Sequence, residues 1–122
     1  MSSTPESKVK AAIHRFLKWQ NAYAVNYIGG QYANNGTPDI LACINGVFVG
    51  IEAKAGRGQL TALQYKALEK IDKAGGLALV VNENELDYLA TAINSLQQHG
   101  TRMSNYTRFK PAGLDEKEPT DE

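Results

Sequence analysis

Gly36-Thr37-Pro38-Asp39-Ile40-Leu41-Ala42-Cys43-Ile44-Asn45-Gly46-Val47-Phe48-Val49-Gly50-Ile51-Glu52-Ala53-Lys54 decides the reading of this chain. Asn45-Gly46 lies between two short apolar runs, Asp39 to Ile44 and Val47 to Ala53. Asn-Gly is the strongest two-residue hairpin signal, because both central residues of a type I′ turn need positive φ. A two-residue loop fixes the register: Ile44 faces Val47, Cys43 faces Phe48, and the ladder ends with Asp39 opposite Glu52. Side chains alternate along a strand, so Lys54 shares the face of Glu52. Two carboxylates opposed at about 5 Å repel each other, and a cation between them relieves the repulsion.

Each residue also has a plainer reading. Asp39 alone reads equally as a strand-end aspartate facing water, and Glu52 with Lys54 as an ion pair on an exposed strand face. Together on one hairpin face they are harder to dismiss. Pro38 holds Thr37 extended and leads the chain straight into the strand. Gly50, on the same face, is expected to leave space beside the charges. Glu6 is either half of a Ser3-x-x-Glu6 capping box or, three residues before Val9 and seven before Ile13, an inward-facing charge that needs a partner. Gln64 is either half of a Thr61-x-x-Gln64 capping box or a polar group facing the strand that carries Glu52. Cys43 reads as small apolar filler. The row Lys10, His14, Lys18 reads as a solvated or phosphate-facing surface, and Tyr32, Asn34 and Asn35 as turn chemistry leading into the site.

Working outward, Ser3 or Thr4 can cap a first helix, with Pro5 in its first turn. Val9, Ile13, Phe16, Leu17 and Gln20 keep helical spacing to about residue 20. Tyr23 to Ile28 reads as a strand ended by Gly29-Gly30. After the hairpin, Leu60, Leu63, Ala67, Ile71 and Ala74 mark a second helix stopped by Gly75-Gly76. The continuous apolar run Leu77 to Val81 suits a strand buried on both faces. Strand, helix, strand implies a right-handed parallel crossover from Val47–Lys54 to Leu77–Val81. A third helix, capped by Asn82 or Asn84, carries Leu86, Leu89, Ala90, Ile93 and Leu96. Met103 to Phe109 reads as a further short strand or an arm. The expected fold class is α/β, in the order α-β-β-β-α-β-α, a small mixed sheet flanked by helices. One domain spans 1–110, followed by an acidic tail, 111–122, expected to be disordered.

The 122 residues carry thirteen basic and thirteen acidic side chains, but residues 1–82 hold a net +4 and residues 83–122 a net −4. A basic N-terminal body permits a polyanionic partner without demanding one. One cysteine and two separated histidines, His14 and His99, exclude a zinc ligand set in a single chain. No run approaches the ~18 apolar residues of a membrane span, no secretory leader pattern opens the chain, and a cytoplasmic setting in a bacterial or phage-infected cell is expected. Asp and Glu oxygens select Mg²⁺ or Mn²⁺. Beside such an ion Lys54 can orient an attacking water or stabilise charge on a phosphate. No nucleophilic Ser, Cys or His arrangement and no Gly-rich phosphate loop is present.

Gly36-Thr37-Pro38-Asp39, Glu52-Ala53-Lys54 and Gln64 resemble the PD-(D/E)XK nuclease superfamily. More narrowly, they resemble the VRR-NUC family of phage and bacterial single-domain proteins, also found at the end of a eukaryotic DNA-repair nuclease. The resemblance covers roughly residues 5–82. It implies a restriction-endonuclease-like core. It also implies metal ligation by Asp39, Glu52, the Ala53 carbonyl and Glu6, with Lys54 as the catalytic lysine and Gln64 completing the site. Standalone members are similar to Holliday-junction resolvases, acting as homodimers on branched DNA. The expectation is therefore a Mg²⁺- or Mn²⁺-dependent DNA endonuclease. The alternatives are a flap or duplex-nicking nuclease, a non-catalytic DNA-binding module on the same fold, and a protein without a nucleic-acid partner.

Overall fold

The computed structural model describes residues 4–29 and 36–114. Ser3, the loop positions Tyr32, Asn34 and Asn35, and residues 115–122 of the expected tail lie outside the described residues.

Helix α1 (Pro5–Lys18) starts at Thr4, whose hydroxyl accepts the Ser7 N–H at 3.0 Å, and buries Val9, Ile13 and Leu17 at four-residue spacing. Strand β1 (Ala22–Asn26) runs antiparallel to β2 (Ile40–Ile44), which forms the hairpin with β3 (Val47–Ala53). Asn45 and Gly46 both take positive φ, 54° and 78°, as the turn requires. The observed pairs include Ile44 with Val47, Cys43 with Phe48 and Ile40 with Ile51. Helix α2 (Ala62–Lys73) crosses to β4 (Leu77–Val81), which lies parallel to β3, so the four-stranded sheet has the order β1-β2-β3-β4. All five β4 residues are buried, which accounts for that strand's unbroken apolar run. Helix α3 (Leu86–His99) follows. Its cap residue is Glu85, which makes no side-chain capping bond; Asn82 instead accepts the Asn84 N–H in a local turn. Among the described residues, no helix is long and apolar enough to cross a membrane.

The sheet separates two apolar clusters. One joins α1 and α3 to Ile40, Ala42, Ile44, Val49, Ile51, Leu77, Leu79 and Val81. The other gathers Leu60, Tyr65, Leu68, Ala78, Val80 and Tyr106, with Leu114 packed against it. The fully buried residues of α2 are Tyr65 and Leu68; of the row expected from spacing, Leu60 is buried and Ile71 packs against the second cluster, while Leu63 and Ala74 are exposed. Two apolar rows compete on this helix, and Tyr65 wins because Tyr106 stacks on it with ring centroids 5.3 Å apart.

The segment read as a strand or arm is instead a 3-10 helix, Tyr106–Phe109. The residues before it do the hydrogen bonding of a fifth strand with side chains. Asn105 Oδ1 accepts the Val80 N–H at 2.8 Å, Asn105 Nδ2 donates to the Val80 carbonyl at 2.9 Å, and Ser104 Oγ accepts the Ala78 N–H at 2.9 Å. The Asn105 N–H donates to the Ala78 carbonyl. The outer edge of β4 is thus satisfied without another strand.

Asn105→Ala orphans both buried Val80 groups, each worth about 1–3 kcal/mol. The expected loss in urea unfolding is about 2–4 kcal/mol. A loss under about 0.5 kcal/mol contradicts this account of the β4 edge.

Candidate active site

The site grows from the end of the hairpin opposite its turn. One step beyond the last ladder pair, Ile40 with Ile51, the register carries Asp39 opposite Glu52. Asp39 is held there from β3, where the Ala53 N–H donates to Asp39 Oδ2 at 3.0 Å. Tyr27 N–H, one residue past β1, donates to the Asp39 carbonyl and fixes the same residue from the other side.

The residues before Asp39 explain the Gly-Thr-Pro-Asp spelling. Gly36 has φ +86°, and a Cβ there would lie 2.5 Å from the Leu63 carbonyl oxygen. Only glycine fits both the left-handed backbone and the contact with the start of α2. Pro38 packs over Gly50, where a Cβ would come within 3.1 Å of the proline ring and 2.6 Å of Ile71 Cδ1. The room expected beside Gly50 is therefore filled. This glycine admits Pro38 and Ile71 rather than a ligand, and it lets the loop lie flat against β3.

Glu52 is 2 % exposed. Its Oε2 accepts a hydrogen bond from Gln64 Nε2 at 3.0 Å and lies 3.8 Å from Lys54 Nζ. Gln64 fills both roles left open by the sequence. Its Oε1 accepts the Thr61 N–H at 2.9 Å, closing the capping box of α2, and its amide nitrogen holds Glu52. The capping bond fixes the amide so that its NH₂ faces the carboxylate. Lys54 is anchored by its N–H to the Val81 carbonyl. The loop behind it is pinned where both Glu83 oxygens accept the Gly56 N–H, and these bonds hold the Glu83 carboxyl below its ordinary range.

One carboxylate oxygen from each of Glu6, Asp39 and Glu52 falls within 4.8 Å of the others. Glu6 reaches the group from the first turn of α1; with Thr4 as the cap, Glu6 is not the partner of the helix start. Glu52 Oε1 is buried without a hydrogen-bond partner. Burial, the neighbouring Asp39 and then Glu6 push the Glu52 carboxyl up to about 8, against the lowering pull of Lys54. A protonated Glu52 can share its proton with Asp39, but once ionised Oε1 has no donor. This cradle fits a hard divalent cation: three carboxylates, one orphaned buried oxygen, and no nitrogen or sulfur ligand.

Glu6, Asp39, Glu52, Lys54 and Gln64 thus come together as expected. Ala53 joins through its N–H on Asp39, while no contact distinguishes its carbonyl. Cys43 does not behave as filler. It is exposed. His14 Nε2 lies 2.7 Å from Asn26 Oδ1. Sequence reasoning missed Glu83, whose grip on Gly56 spans 27 residues and leaves no local pattern.

No protein-family model, curated protein or solved structure matches the chain.

Because the folded state raises the Glu52 pKa, its contribution to stability is fully present below about pH 4.5 and is lost as pH rises through about 8. At about 1.4 kcal/mol per unit, discounted for water at the mouth of the site, the metal-free protein should lose on the order of 2–4 kcal/mol across that window. Urea unfolding at several pH values measures it. Glu52→Gln should remove most of the slope and added Mn²⁺ should flatten it; an identical slope in Glu52→Gln contradicts the assignment.

Proposed function

We propose that this protein is a Mg²⁺- or Mn²⁺-dependent endodeoxyribonuclease that hydrolyses phosphodiester bonds, acting as a homodimer on branched DNA such as a Holliday junction. The observation that carries the reading is the Glu6, Asp39 and Glu52 cluster, with Glu52 Oε1 orphaned and Lys54 Nζ at its side. Glu6, Asp39 and Glu52 would hold the ion, which supplies charge to polarise a phosphoryl oxygen and to acidify water.

The chain's own residues account for the rest. Gln64 fixes Glu52 Oε2 and leaves Oε1 free to ligate. Lys54, 14 % exposed and tethered at its backbone, presents a cation beside the carboxylates, where it orients water or meets charge growing on the phosphate. Hydrolysis adds water across one P–O bond and leaves a phosphate end and a hydroxyl end. The α/β architecture, a mixed four-stranded sheet between helices, is compatible with a nuclease-like core. The +4 charge of residues 1–82 favours a polyanion near this site.

Labelled four-way junction, flap, duplex and single-stranded DNA, incubated with Mg²⁺, Mn²⁺ or chelator, test the proposal. Paired symmetric cuts on the junction are expected, lost with chelator. In Lys54→Ala cleavage should fall at least 10²-fold with metal binding nearly intact, the scale of losing one positioned charge-stabilising group. Cleavage of flap or duplex alone would move the function to a nuclease without junction preference. Lys54→Ala cutting as fast as the parent would refute the site.

A further inference from the structure

The two edges of the sheet are treated differently. The β4 edge is closed by Ser104 and Asn105. The β1 edge is not. Tyr27 bonds to Asp39 across the ladder, so by alternation Tyr23 and Val25 also direct their N–H and C=O toward β2. Ala24 and Asn26 then point theirs outward, and among the described residues nothing takes the outward groups of Ala24.

Proteins normally protect an open edge with lysine, proline, a bulge or a charge. Ala22 to Ile28 contains no charged residue and no proline. It is also where open apolar surface concentrates. Trp19 is 85 % exposed, Tyr23 74 % and Ile28 86 %, with Val25 between them partly open. Taking about 200 Å² for a whole aromatic side chain, the open part of Tyr23 is about 150 Å². A two-fold axis on this strand brings two such surfaces to one seam.

We propose that a second copy of this chain covers this edge, by antiparallel pairing of β1 with the partner's β1 about a two-fold axis at Ala24. The strand is self-complementary in that register. Ala24 exchanges N–H···O bonds with the partner's Ala24, and the Asn26 N–H meets the carbonyl of the partner's Ala22. Tyr23 falls opposite the partner's Val25, and Val25 opposite the partner's Tyr23, so each open residue gains an aromatic–β-branched cross-strand contact. It is the one antiparallel register that overlaps all five residues of β1, and it is isologous, as a closed dimer requires. The result is a single eight-stranded sheet with both carboxylate clusters on it. This locates the interface of the homodimer proposed above, and it needs neither DNA nor metal, so its failure is separable from failure of the cleavage reading.

Sedimentation equilibrium of the full chain without DNA is the first test. The expected mass is about twice the 13.3 kDa of one chain. Ala24→Pro removes only an outward N–H, at a position where an edge strand tolerates proline. Val25→Lys places a charge on the open face. Each should raise the dimer dissociation constant at least tenfold while circular dichroism stays that of the parent. In a Cys43→Ala background, Tyr23→Cys with Val25→Cys should oxidise to a covalent dimer, because non-hydrogen-bonded pairs bring side chains closest. Cys43 must go because it sits directly across the ladder from Tyr23. A parent that stays monomeric at about 100 μM, far above a specific dimer's dissociation constant, overturns the proposal. So does a dimer indifferent to both single substitutions, or a double-cysteine chain that does not cross-link.

Discussion

The turn at Asn45-Gly46 constrains everything that follows it in space. Two residues at positive φ leave one pairing of β2 with β3, and that pairing carries Asp39 across to Glu52 at the far end. A slip of one residue would turn Ile40, Ala42 and Ile44 away from the α1–α3 core and turn the carboxylates to opposite faces at once. The apolar alternation and the charge placement are therefore one constraint. The energy of burying three β2 side chains enforces the position of the acid that follows them.

Holding that position has a cost, concentrated on Glu52. A carboxylate this buried needs compensation, and the fold provides it on one oxygen only. Gln64 and Lys54 serve Oε2, while Oε1 is buried with no hydrogen-bond partner. The metal-free protein meets the imbalance by keeping a proton. A structural role would have been met more simply by an apolar residue, as in the neighbouring strand positions Ile51 and Ala53. The surroundings are organised around the same point. Gly36 lets the loop touch α2, Pro38 lies on Gly50, and the capping box of α2 orients the amide that holds Glu52.

Much of this was legible in the chain because it is local. Turn residues, strand alternation, helix spacing and capping boxes act over a few positions, and the hairpin adds the one longer-range inference that matters. What escaped the sequence depends on which surfaces meet. Helix α2 offers two apolar rows, and only the packing of Tyr65 on Tyr106 chooses between them. Ser104 and Asn105 close the β4 edge with side chains, which carries no strand pattern. Cys43 shares its sheet face with Gly50, on which Ile71 of α2 packs, yet is itself exposed; where the cover of α2 stops is not written in β2. Gly50 looked like room for a ligand because a missing side chain does not reveal what fills the gap.

The central claim is that the Glu6, Asp39 and Glu52 cradle is arranged for a divalent ion, with a proton on Glu52 in its place until the ion binds. Calorimetric titration of Mn²⁺ at pH 7, repeated in buffers of different ionisation enthalpy, counts the protons released on binding. With Glu52 held near 8, the account predicts about one proton released per ion bound. Binding without proton release, or no binding at all, would contradict it.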